Sequence, residues 1–246
     1  MKTFYSNFTK ALALFLLVIV FKNASAQAIS EGFDDITTLV PGGWSRQNLS
    51  SPLGTTNWFQ GNPAAVVAYD GATNAYIAAN FNNTTGGTGT ISNWLITPNR
   101  TLNNGDKISF FTQSSGDDIW PDRLQVRMSL NGASTNVGAT ANSVGDFTTL
   151  LLDINPTLVT GVYPIVWTQF TITVSGLAGP TSGRFAFRYF VTNAGPTGIN
   201  SDYIGIDRFV YSPICGVTIP GGAIPENEAC NADANGGCNS RSEEHT

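Results

Sequence analysis

The chain is poor in the residues that most often perform chemistry. Its only histidine is His245, near the end of 246 residues, and its three cysteines, Cys215, Cys230 and Cys238, all stand at or beyond position 215. Nucleophilic catalysis of the Ser–His or Cys–His kind needs an imidazole beside the nucleophile, so residues 1–214 exclude it. The absence of a CxxC pair removes the common four-ligand zinc frame. The body of the chain must therefore fold without disulfides, while the tail has room for one bridge and an odd thiol. Lysine is scarce as well: after Lys2, Lys10 and Lys22 there is only Lys107. "TTGGTGT" (residues 84–90) is glycine-rich, but no lysine follows it, so it is a flexible loop rather than a phosphate loop. Beyond residue 27 there is no amphipathic stretch of 3.6-residue period.

What is present divides the chain into four parts. Lys2 and Lys10, the apolar run "ALALFLLVIVF" and the small residues Ala24, Ser25 and Ala26 read as a signal peptide over residues 1–26. The apolar run is too short to span a bilayer comfortably. Its removal lowers Lys+Arg from 12 to 9 against 17 Asp+Glu, leaving a mature charge of about −8. Such a surface is a poor partner for nucleic acid or anionic lipid, both of which need phosphate neutralisation.

Residues 27–212 read as one domain. Gly, Asn, Thr and Ser are abundant, and period-two alternation recurs. In "RLQVRMSL", Leu124, Val126, Met128 and Leu130 share a face; "QFTITVSGL" aligns Phe170, Ile172 and Val174; "RFAFRYFV" aligns Phe185, Phe187, Tyr189 and Val191. "DKISFFTQ", "NAYIAANF" and "TTLLLDI" add strands, and "NNGD" and "NGAS" supply turns. Many short strands with one polar face predict an all-β, antiparallel two-sheet sandwich. Residues 213–240, rich in Pro, Gly and Asn, read as a linker or the start of a truncated second module. Residues 241–246, "RSEEHT", resemble translated sequencing-adapter read-through.

Four stretches in order, "EGFDD" with "PGGW", then "SNWLITP", "PDRLQVRMS" and "YIGIDRFVY", resemble the choice-of-anchor J domain. That family is a relative of the cleaved-adhesin domain of bacterial surface proteins. The resemblance spans residues 29–211 and implies a jelly-roll sandwich related to MAM-type folds, found in secreted, multidomain surface proteins. Members often carry "IDD" or "IDN" where this chain has "IDR", so Arg208 departs from the pattern.

The jelly-roll topology implied by that resemblance sets the first and last strands side by side. Asp207 would then lie near Glu31 and Asp34, with Asp70 of "YDGATN" as a loop neighbour. Converging carboxylates raise one another's pKa, and a hard divalent cation with six to eight oxygen ligands relieves them. The expectation is a structural Ca²⁺ site at Glu31, Asp34, Asp70 and Asp207. The alternative pairs Asp207 with an arginine such as Arg188 or Arg46 and leaves Asp34 and Asp35 solvated.

A second constellation is "SSGDDIWPDR". Asp117, Asp118 and Asp122 beside Trp120 could bind a sugar, the ring stacking on a pyranose and the acids accepting from hydroxyls. Alternatively, Trp120 packs down as a lid and Asp122 pairs with Arg123. Trp44, Trp94 and Trp167 read as core; Trp58 is undecided. Glycoside hydrolysis would need two suitably spaced carboxyls, one with a raised pKa, for which Asp117 and Asp122 are weak candidates. The sequence therefore points to a secreted, non-enzymatic adhesion or ligand-binding module with carbohydrate or an extracellular protein as partner. A structural spacer and an accessory domain of a secreted hydrolase are the alternatives.

Overall fold

The computed structural model describes residues 28–116 and 119–214. The expected signal peptide over residues 1–26, Asp117, Asp118, the three cysteines and the tail lie outside the described residues.

Alternation becomes twelve strands in two antiparallel sheets, and no α-helix occurs among the described residues. The first sheet runs β10 (Thr168–Thr173), β7 (Lys107–Ser114), β12 (Tyr203–Ser212), β4 (Ile77–Asn80), β3 (Phe59–Gln60), with β1 (Ile29–Glu31) also on β12. The second runs β2 (Ser45–Asn48), β5 (Gly89–Ile96), β11 (Thr181–Ala194), β8 (Leu124–Ser129), β9 (Thr149–Ile154), with β6 (Arg100–Leu102) also on β11. The architecture is a jelly-roll β-sandwich: the turn-rich, strand-rich sequence predicts the two antiparallel sheets, and the family resemblance implies the jelly roll.

The inward positions of both sheets carry rings, which meet edge to face in a row. Phe110 and Phe187 have centroids 4.8 Å apart, Phe187 and Phe209 5.7 Å, Trp44 and Phe209 5.4 Å, and Phe33 and Trp44 5.6 Å. Leu124, Val126 and Met128 join this core, whereas Leu130 falls just past the end of β8 and is exposed. Trp44, Trp94 and Trp58 are buried. Trp167 departs from expectation. It lies half-buried on the outside of the first sheet, edge-on to Tyr76, donating its indole N–H to the Val67 carbonyl at 2.8 Å.

Each sheet also has an outer face, and a loop crosses each. Residues 131–147 cover the second sheet, packing Val137 and Phe147 on Trp94, Ile96 and Ala186. Residues 61–76 cover part of the first, where Val66 and Tyr76 pack on Ala78 and Tyr203. Gly205 is required here: a Cβ would stand 2.8 Å from Trp167 and 2.9 Å from the Tyr76 ring. The rest of that face is open.

Candidate functional site: a groove on the first sheet

The groove is built around a change of neighbour along β12. Residues 203–206 pair with β4, and residues 209–211 pair with β1. Between them β12 bulges against β7, between Asp207 and Val210, and Arg208 adopts φ +48°. A bulge inserts an unpaired residue and re-aims its side chain. Left-handed backbone costs a non-glycine residue about 1–2 kcal/mol. Here both features turn Arg208 onto the outer face of the sheet.

Asp207 holds the bulge. It is 1% exposed and takes backbone donors on both oxygens. Tyr69 N–H and Asp70 N–H donate to Oδ2 at 2.9 and 3.2 Å, and Arg208 N–H donates to Oδ1 at 2.6 Å. Burial pushes its carboxyl up to about 6, against the lowering effect of these three donors, and the Asp70 charge adds a little. The partner of Asp207 is thus the backbone of the 61–76 loop. The expected arginine partners are engaged elsewhere: Arg46 donates to the Trp58 carbonyl, and Arg188 is buried on the other sheet.

The anchored loop sets down Tyr69 and Asp70. The Tyr69 ring stacks on Phe111 of β7, centroids 3.7 Å apart and planes 17° from parallel, while Tyr69 remains 43% exposed. The Arg208 guanidinium meets Asp70 Oδ2 at 3.1 Å with both side chains more than half exposed. An exposed pair of this kind contributes about 0–1 kcal/mol. Tyr69, Ser109, Phe111, Gln169, Arg208 and Val210 line a groove of about 350 Å³.

The four expected calcium ligands share one seam but not one centre. β1 does lie on β12, with Glu31 opposite Phe209. Glu31 accepts the Phe33 N–H at 2.8 Å; burial raises its carboxyl, that hydrogen bond opposes the rise, and the Asp34 charge adds to it. Asp34 lies against the 70–71 turn, its Oδ1 3.0 Å from where a Cβ on Gly71 would be. Asp70 also accepts its neighbour's Gly71 N–H at 2.8 Å. Among the described residues no three His, Cys, Asp or Glu side chains gather as a metal set. As the seam stands, peptide N–H groups point at Asp207 and a guanidinium neutralises Asp70. That donor set does not fit a cation without rearrangement.

At the Trp120 loop the expected residues separate. Trp120 is 42% exposed, as a surface contact requires. Asp122 is wholly buried, accepting from the Tyr189 hydroxyl and from Asp202 N–H, so a ligand in solvent does not reach it. Nor does it pair with Arg123, whose guanidinium takes Asp153 at 2.6 Å. Ile119, beside Trp120 in sequence, and Ile199 are exposed, and their segments are joined by the Ser201 N–H to Pro121 carbonyl bond at 3.0 Å.

Sequence reasoning missed Tyr69, Ser109, Phe111, Gln169 and Val210. One signal was available: Phe110 and Phe111 are consecutive on an alternating strand, so one ring must face outward.

Among solved structures the chain is similar to the K1 cleaved adhesin domain of Lys-gingipain from Porphyromonas gingivalis W83. The TM-score is 0.50 at 24% identity, over 76% of this chain and 98% of that one. The K3 cleaved adhesin domain of the same protein gives TM-score 0.50 at 18% identity over 76% and 97%. A family 29 carbohydrate-binding module complexed with cellulohexaose gives TM-score 0.37 at 13% identity over 76% and 92%. No family model and no curated protein matches the chain. The fold is cleaved-adhesin-like.

Proposed function

We propose that the chain is an extracellular, non-catalytic binding module whose ligand, a carbohydrate or another extracellular protein, lies across the groove of the first sheet. The observation that carries this reading is the exposed Tyr69–Phe111 stack on an otherwise open sheet face, flanked by Arg208, Gln169 and Ser109. An aromatic face with a few polar groups beside it is how a rigid surface holds a sugar ring or a side chain. Export through residues 1–26 and kinship with the choice-of-anchor J family belong to the same proposal, and rest on the sequence motifs.

The test is a glycan and extracellular-protein array with the Tyr69→Ala and Trp120→Ala variants beside the parent. Binding that falls about tenfold or more in Tyr69→Ala and little in Trp120→Ala supports the groove. The reverse pattern moves the site to the Trp120 loop. A folded parent that binds nothing on either array favours a structural spacer.

Structural calcium is a separate proposal at the acidic seam of Glu31, Asp34, Asp70 and Asp207. An ion there would have to displace Arg208 from Asp70, which argues for weak affinity. A melting temperature raised by millimolar calcium over EGTA in metal-stripped protein supports it, and an unmoved one rejects it.

A further inference from the structure

Arg208, which lines the groove, already holds one carboxylate, that of Asp70. This contact shows where an acid fits and how weakly the internal one is held: both side chains are exposed, and the pair is worth little in water. An external carboxylate at the same place loses no protein interaction that costs much to replace. Arginine also recognises carboxylates in a planar, two-bonded fashion that Asp70 does not use here, since its contact is through a single guanidinium nitrogen at 3.1 Å.

The surroundings fit an acid attached to a ring. Tyr69 covers Phe111 with one face and stays 43% exposed. Gln169 and Ser109 offer an amide and a hydroxyl in the groove lining. Strand alternation carries the same outer face from Phe111 through Ser109 to exposed Lys107, the only lysine beyond residue 22. Successive outward residues stand roughly 7 Å apart, near the scale of a sugar unit. Two of the few cations of an acidic chain therefore border one open aromatic face.

We propose that the groove selects carboxylate-bearing glycans of the hexuronate type. The sugar ring lies on Tyr69, its carboxylate takes Arg208 in place of Asp70, and Lys107 meets a further carboxylate along the chain. Asp70 is then a placeholder that keeps the guanidinium oriented when no ligand is present. This inference rests on the groove being the ligand site, and adds the sign and kind of ligand.

The experiment is titration calorimetry at low salt with polygalacturonate, its fully methyl-esterified neutral form and polyglutamate. The proteins are the parent, Arg208→Gln, Asp70→Asn and Tyr69→Ala, each checked for an unchanged fold. Polygalacturonate should bind, with affinity falling about tenfold or more on esterification or in Arg208→Gln. Asp70→Asn, which removes the competing charge and keeps a Gly71 acceptor, should tighten it about two- to fivefold. Equal binding of the ester and the acid, lost in Tyr69→Ala but not in Arg208→Gln, overturns this inference and leaves the groove as the site. Polyglutamate binding as tightly as polygalacturonate, indifferent to Tyr69→Ala, overturns the sugar. Failure of polygalacturonate to bind overturns the inference outright, and the array result then decides the groove independently.

Discussion

The two outer faces of the sandwich each carry an arginine, and the two are treated oppositely. On the second sheet Arg188 is 2% exposed, its guanidinium 3.8 Å from the Phe190 ring centroid and 4.8 Å from that of Trp94. It donates to Ser92 Oγ at 3.0 Å, to Gln125 Oε1 at 3.2 Å and to the Ala141 carbonyl. Burial lowers its pKa to about 9, and the Arg127 and Arg123 charges add to the effect. On the first sheet Arg208 stands exposed on a left-handed bulge beside an open groove. The loop over the second sheet closes a polar network, whereas the loop over the first stops at Tyr69 and Asp70. A charge sealed under a loop serves the fold. A charge held out on strained backbone is available to something else.

The contrast can be broken most severely at Arg188. Arg188→Ala opens a cavity and leaves buried acceptors unpaired, so it should cost about 3–5 kcal/mol in a denaturant melt. A loss under about 1 kcal/mol would mean that the second face is not sealed. Gly205→Ala comes next, because its Cβ would meet Trp167 and Tyr76; it should cost about 2 kcal/mol and loosen the 61–76 loop, read by hydrogen exchange.

The third test is pH. Asp207 titrates near 6 when folded, against 3.8 for the ordinary group, mainly through burial. Between these values the folded state holds more protons than the unfolded one. This group's contribution is therefore full below about pH 4 and lost as pH rises through about 6, by roughly 2–3 kcal/mol. Melts of the parent and Asp207→Asn at pH 4 and pH 7 should differ by that amount in that direction. The smallest effect is also the sharpest: Arg208→Gly relieves the left-handed strain and should stabilise by about 0.5–1 kcal/mol while ligand affinity falls. A destabilised Arg208→Gly protein would assign Arg208 to the fold after all.

Much of the fold was legible in the sequence because it is repetitive. Phe185, Phe187, Tyr189 and Val191 alternate in "RFAFRYFV" and all point inward on β11. The neighbourhood of β1 and β12 followed from the jelly-roll resemblance. The site was less legible because it depends on single backbone events. Nothing in "SDYIGIDRFVY" announces a bulge at Asp207, nor that its partners are peptide N–H groups 137 and 138 residues away. Asp122 reads as a surface acid from its neighbours Asp117, Asp118 and Trp120. The structure buries it beside Tyr189, a contact 67 residues distant that no local pattern encodes.

The central claim, that the open face of the first sheet is the binding face, is tested most directly by backbone amide NMR. The tightest ligand found on the array would be titrated into the isotope-labelled protein. The account predicts shifts concentrated at Tyr69, Ser109, Phe111, Gln169, Arg208 and Val210. Shifts concentrated instead at Ile119, Trp120 and Ile199, with the groove silent, would contradict it.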